Sequence, residues 1–390
     1  MSHEAYGAGY GDQDLTGAGD DGGDAEPVFD TAAEGATCMT DAGVVPDVSV
    51  VLTTSQAGAL AKLTIDSVLA QTLTNFELII VDDCSKDATL AIVRGYNDAR
   101  VRLFATPEPL GLAGARNQAM GLVRGRYIAA LSQGDVCSPE RLALQTAYMD
   151  AHPDTVVLGT ATTIVREDKQ LPDRYPAHTT PGLVWWLLHV MNPLAWSSVM
   201  LRTEAVRGLD MFARDAFPLA EDYELYHRLG AVGVIARLDA PLVTRRWQEP
   251  EDARLRELRM IGSAAKVLAR AYEPWFGPTS HAYAELMVVH VAAARPVPEA
   301  STLDRIAAVF SAIERAFTAT YAPDAQTRAL MAAEMSRLWW GVVRVAIRSG
   351  TVSQARALEH RPSFAAEDGL TPKDLFRSGL IGTIRARRGG

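Results

Sequence analysis

The sequence predicts an α/β protein: a mostly parallel sheet flanked by helices, with an α-helical C-terminal extension. Three observations carry this. Strand-like and helix-like segments alternate from residue 48 to about 159, the pattern of a parallel sheet with crossover helices. The run at 78–81, Leu-Ile-Ile-Val, is short, apolar and stopped abruptly by Asp82 and Asp83. Such a strand is buried on both faces and opens at its carboxyl end into a crevice. From 252 to about 349 the pattern is helical throughout.

The elements follow in order. Residues 48–53, Val-Ser-Val-Val-Leu-Thr, form a strand. Residues 58–72 form a helix with Ala61, Ile65, Val68, Leu69 and Thr72 on one face. The next strand is 76–81, then a helix over 87–97 and a strand over 101–105. Gly111 and Gly114 open a helix that runs to about 124, and 127–131 is a strand. Pro139 sits in the first turn of another helix, where its missing N–H is no loss. A strand covers 155–159. Residues 160–250 are less regular, with a helix around Trp185 and Trp186, a strand over 197–201, a helix over 219–229 and a strand over 232–237. Trp339 and Trp340 are expected to pack back on the core.

Composition bounds the chain further. At 390 residues it holds one large domain with an extension, or two domains. Residues 1–46 are acidic, rich in Gly and Asp, and too poor in large apolar residues to order themselves. Excluding that segment, the body is near neutral, and no nucleic-acid partner is expected. No apolar run reaches the ~18 residues of a membrane span; the stretch 183–201 is broken by His189, Asn192 and Pro193. With no signal peptide, and with Cys38, Cys84 and Cys137 too far apart for a disulfide framework or a zinc site, the expected compartment is cytoplasmic. The organisation read from this is 1–46 disordered, 47–250 the α/β domain, 251–350 helical and 351–390 a tail.

Three stretches carry chemistry. Asp82 and Asp83 at a strand end suit either a helix cap or hydrogen bonds from a ligand. Gly111-Leu112-Ala113-Gly114, followed by Arg116 and Asn117, offers backbone N–H groups at a helix start, which suits a phosphate. Glu221-Asp222 opens a helix, where the dipole favours acids in any protein. Neither a Rossmann glycine fingerprint nor a P-loop is present. His178, His189 and His227 lack metal-ligand spacing, and Trp196 and Trp247 suit either packing or stacking on a sugar.

Taken together, VDDCSKD, GLAGARNQA, GRYIAALSQGD, PERL, SSVMLR, RGLD and AEDYELYHRL resemble the family-2 glycosyltransferases of the GT-A fold. The resemblance covers about 47–250. It implies a nucleoside diphosphate sugar donor (UDP-, dTDP- or GDP-linked), with Thr53 and Asp83 at the nucleoside and Arg116, with Asn117 beside it, near the base or diphosphate. Gln133 and Asp135 fall in the position of the family's D-x-D-D metal motif, and Asp222, with Glu221 beside it, is the implied general base of an inverting transfer. The acceptor stays open: a glycan, a lipid-linked sugar, a peptide or a small natural product.

The chain departs from the family pattern at the metal. Aligned on Pro139-Glu140-Arg141-Leu142, the D-x-D-D positions read Ser132, Gln133, Gly134 and Asp135. Mg²⁺ or Mn²⁺ takes several oxygen ligands, and only Asp135 remains acidic. Three readings follow from sequence. A divalent cation still bridges Asp135 and the diphosphate; or Arg116, Arg245 and Arg246 neutralise the leaving group; or the protein is a catalytically impaired scaffold that binds nucleotide or protein.

Overall fold

Apolar runs one strand long build the first half of the sheet. β1 (Val48–Thr54), β2 (Phe76–Asp82), β3 (Val101–Ala105) and β4 (Tyr127–Ser132) run parallel, crossed over by α1 (Ala59–Leu69), α2 (Thr89–Arg94) and α3 (Gly111–Met120). The structure, a computed structural model, describes residues 45–167, 169–171, 175–247 and 252–366. Almost all of the expected acidic leader, and the basic end at Arg385, Arg387 and Arg388, lie outside them.

Side-chain alternation along β1 sorts the two faces. Val48, Val50 and Leu52 pack with Ala61, Ile65 and Val68 of α1. Val51 faces the other way, onto a larger core that includes α3 and runs on to Trp339 and Trp340. Those two indoles are 0% and 2% exposed.

Beyond β4 the chain makes β5 (Val136–Cys137), α4 (Arg141–Ala151), β6 (Thr155–Arg166), β7 (Lys169–Leu171) and α5 (Pro181–Leu188). A 3₁₀ turn (Trp196–Ser198) leads into β8 (Met200–Arg202), α6 (Thr203–Arg207), α7 (Glu221–Gly230) and β9 (Val234–Arg246). The sheet order is β3-β2-β1-β4-β8-β6-β9-β5, with β7 on β6. β8 is antiparallel to both neighbours, so the sheet is mixed on this side.

Two strands are far longer than the sequence pattern indicates. β6 and β9 pair in parallel along nearly their whole length, with register shifts around Thr160, Ala161 and Thr162 opposite Pro241. Proline removes a ladder donor and sits in strands at such irregularities. It hides the second half of β9 from a reading by pattern.

The C-terminal region holds α8 (Ala253–Phe276), α9 (Ser280–Leu286), a π-helical turn (Met287–Ala292), α10 (Ser301–Tyr321), α11 (Ala325–Ser349) and α12 (Gln354–Glu359). α12 lies in the segment expected as a tail; Ala357 and Ala365 there are buried, and Trp340 Nε1 donates to the Ala366 carbonyl at 3.0 Å. His189 and His227 lie among aromatic rings between these helices and α5 and α7, their ring centroids 5.4 Å apart. Burial, with the neighbouring His227, holds His189 down to about 3, and burial holds His227 down to about 4. Among the described residues no helix is long and apolar enough to cross a membrane.

Candidate active site

α7 begins abruptly. Leu219 takes a φ of 68°, a left-handed conformation that non-glycine residues seldom adopt. The chain then turns into Glu221 and Asp222 in the first turn, where the helix dipole favours negative charge. Asp222 Oδ1 accepts from its neighbour's Tyr223 N–H at 2.8 Å, and Oδ2 accepts from Asn192 Nδ2 at 3.2 Å. Burial pushes the Asp222 carboxyl above the ordinary aspartate value, against the pull of the Arg116 guanidinium.

Arg116 reaches this pair from α3. Its guanidinium is 3.8 Å from a Glu221 oxygen and packs 4.0 Å from the centroid of the Trp196 ring. Arg116 is only 6% exposed, and burial pulls its pKa below the usual arginine value. Nε of Arg116 and the Tyr226 hydroxyl are both buried without a hydrogen-bond partner among the described residues. Arg116 is expected from sequence near a base or diphosphate; the structure sets its guanidinium against Glu221. Its side chain turns away from the glycine turn and into the acidic pair.

Asn117, expected beside Arg116 at the donor, is bound to backbone in this structure. Its amide clamps the backbone of Ala213 at both atoms, each bond 2.8 Å, and so ties α3 to the loop that leads into α7.

At the other end of the crevice the strand ends are stitched together. Asp82 is fully buried and accepts from the Thr54 and Ser85 hydroxyls at 2.9 and 2.7 Å. Asp83 accepts from the Leu110 and Gly111 N–H groups at 2.6 and 3.0 Å and from the Thr106 hydroxyl at 3.3 Å. The N–H groups expected to be free for a phosphate are therefore partly taken: Asp83 caps α3. A carboxylate offers about four acceptor positions, so Asp83 keeps one for a ligand. Thr53 lies beside it, paired in register with Val81 and Ser132, and its hydroxyl has no hydrogen bond among the described residues.

Asp135, the expected metal ligand, is engaged by protein groups on both carboxylate oxygens. Asp135 Oδ2 accepts from the Ser197 hydroxyl at 2.5 Å and Oδ1 from the Arg246 N–H at 3.1 Å. Burial raises its pKa, opposed by Ser197 and by the charge of Arg245. Gln133 clamps Ser55 through its N–H and carbonyl at 2.9 and 3.1 Å. Gly134 holds a φ of 87°, a turn position unfavourable to aspartate. One committed carboxylate does not fit a divalent-cation site, and no cluster of three acidic, His or Cys residues exists among the described residues.

Asp222 opens onto a cavity of about 300 Å³ shared with Asn192, Trp196 and Arg245. The Arg245 side chain makes no hydrogen bond or salt bridge among the described residues, while its charge acts on Asp135. Arg246 is exposed, since neighbouring strand residues face opposite ways, and does not line the cavity. Sequence reasoning missed Asn192; its one signal was a polar residue interrupting an apolar run. Trp196 is buried under Arg116, while Trp247 is 52% exposed.

This geometry defines a GT-A-type crevice, and comparison with known proteins agrees. Residues 49–203 match the family described as Glycosyl transferase family 2. The chain is 42% identical over 107 residues to the succinoglycan biosynthesis protein ExoO of Rhizobium meliloti, covering 27% of this chain and 31% of that protein. It is 27% identical over 192 residues to WfaP of Escherichia coli, a UDP-Glc:alpha-D-GlcNAc-diphosphoundecaprenol beta-1,3-glucosyltransferase, covering 49% of this chain and 72% of that one. The Staphylococcus aureus TarS 1–349 structure in complex with UDP-GlcNAc superposes with a TM-score of 0.50 at 16% identity, covering 88% and 92% of the two chains. The chain spans less than two thirds of the length of several relatives, ExoO among them. Over residues 49–203 the chain is similar to the family-2 glycosyltransferases, and its fold is of the GT-A type.

Proposed function

We propose that this chain transfers a sugar from a nucleoside diphosphate sugar to an acceptor hydroxyl, with Asp222 as general base and inversion at the anomeric carbon. The observation that carries the reading is Asp222 itself: a carboxylate of raised pKa, held by Asn192 and Tyr223, on the wall of a cavity. A base works best with a pKa moved toward the working pH. The acceptor oxygen forms a bond to the anomeric carbon as the bond to the diphosphate breaks, and the acceptor proton passes to Asp222. The electron pair leaves with the nucleoside diphosphate. A single displacement inverts the centre.

The leaving group gathers negative charge that must be met. Arg245, on the same cavity wall and without a side-chain salt bridge among the described residues, supports neutralisation by arginine. The donor set at Asp135 supports no step through a metal ion. Asp83 and Thr53 at the ends of β2 and β1 receive the nucleoside. Relatives named as UDP-Glc-dependent glucosyltransferases support a uridine diphosphate donor.

Calorimetric titration with UDP, dTDP and GDP, in EDTA and again with Mn²⁺, tests the donor site. Binding of UDP that survives EDTA is expected. Failure of every nucleotide to bind in either condition overturns the reading.

A further inference from the structure

The cavity at Asp222 has two unlike sides. One end carries Asn192, Asp222 and Arg245. The far wall is built by the C-terminal helices: Met260, Ile261 and Ala264 of α8, and Val288 and Ala292 of the π-helical turn. No polar side chain comes from that wall. Its two pieces are tied together, because Arg295, just beyond the π-helical turn, pairs with Glu257 of α8 at 2.5 Å. π-helical turns are rare and recur at functional sites; this is the only one among the described residues.

A sugar ring presents hydroxyls on every edge. Placed against this wall it would give up water without gaining a partner, and buried polar groups are unfavourable unless hydrogen-bonded. Of the aromatic residues lining the cavity, Trp196 already carries Arg116 on its ring, and the Tyr175 and Tyr223 hydroxyls already donate to the Asn192 and Leu188 carbonyls. An apolar body meets no such penalty. At about 300 Å³ the cavity is at the small end of ligand pockets.

We infer that the acceptor presents its hydroxyl on a compact apolar body, seated against Met260, Ile261 and Val288 with the hydroxyl at Asp222. The inference rests on the glycosyl-transfer reading for the role of Asp222, but the apolar character of the site stands on the wall alone.

The test titrates the full chain with 2-naphthol and with methyl β-D-glucopyranoside, followed by saturation-transfer NMR and calorimetry. 2-Naphthol is expected to bind and the glucoside not to. Ala264→Trp and Ala292→Phe fill the cavity from two sides; each is expected to weaken 2-naphthol at least tenfold, with folding checked by circular dichroism. Tighter binding of the glucoside, or 2-naphthol affinity unchanged in a folded filled variant, overturns the inference. A UDP titration of the wild type runs alongside. UDP binding without 2-naphthol binding overturns the apolar acceptor and leaves glycosyl transfer standing. Cavity-dependent 2-naphthol binding without any nucleotide binding supports the apolar site and overturns the transferase reading.

Discussion

Arg116 lies over Trp196, its guanidinium 4.0 Å from the ring centroid. The stack fixes a planar cation at the base of the acidic pair, 3.8 Å from Glu221. It joins an α3 residue to the 3₁₀ turn whose next residue, Ser197, holds Asp135. Two positions expected to touch the donor, Arg116 and Asp135, thus belong to a framework beneath the acidic pair.

Arg116→Met keeps the stack's bulk and removes the charge. Breaking a buried pair leaves its partner uncompensated, so a loss of about 3 kcal/mol in urea unfolding is expected. Arg116→Lys is expected to recover only part, since an ammonium cannot lie flat on an indole. A loss under about 0.5 kcal/mol in Arg116→Met, the range of an ordinary surface substitution, would contradict the pairing.

Asn117→Ala removes both bonds to Ala213. At about 1 kcal/mol each, destabilisation of about 2 kcal/mol is expected. Turnover should fall with unchanged nucleotide affinity, because the loop released is the one that aims α7. Reduced UDP affinity at unchanged turnover would restore Asn117 to the donor site.

His189 and His227 predict a sharp acid limit to stability. Both are held below the ordinary histidine value of 6.5, at about 3 and about 4. A depressed folded pKa means the unfolded chain binds the proton first, so the stability is present above pH 6.5 and is lost as pH falls toward 4. At ~1.4 kcal/mol per unit, with about 2.5 units for each ring by pH 4, the pair withdraws on the order of 7 kcal/mol, a large share of a typical domain's stability. His227→Asn should shift the acid unfolding midpoint to lower pH; an unmoved midpoint contradicts it.

The parts of this architecture that were legible from sequence are the local ones. β1, β2 and β4 announce themselves as apolar runs, and Glu221-Asp222 stands out as an acidic helix start. The site geometry was less legible because it is made by residues far apart in the chain. Nothing near Gly111 shows that Asp83 caps its helix. Nothing near Arg116 shows Trp196 beneath it. The cavity wall comes from α8 and a π-helical turn, outside the stretch that carries the family motifs. Ser132 and Gly134 are legible in the sequence as non-acidic residues, but only the bonds of Asp135 show how the neighbouring acid is held.

Metal removal tests that commitment. With Asp135 held by Ser197 and Arg246, EDTA is expected to change the UDP dissociation constant less than twofold. A tenfold weakening, reversed by Mn²⁺, would place a cation in the crevice.

The raised pKa of Asp222 gives activity a direction in pH. In the proposed role as base Asp222 must be ionised, so turnover should fall as pH drops through a midpoint above the ordinary aspartate value of 3.8. The same shift makes the ionised form a burden on the fold: a raised folded pKa stabilises at low pH and is lost as pH rises through it. Asp222→Asn should therefore raise the melting temperature at pH 7; a lower melting temperature contradicts the shift.

The most direct measurement is release of UDP from UDP-glucose, with 2-naphthol as acceptor, by wild type and Asp222→Asn at pH 7. Positioned proton transfer contributes about 10²- to 10⁴-fold. A fall of at least a hundredfold, in a variant that still binds UDP and melts no lower than wild type, is the predicted result. Equal rates in the two proteins would contradict Asp222 as the base.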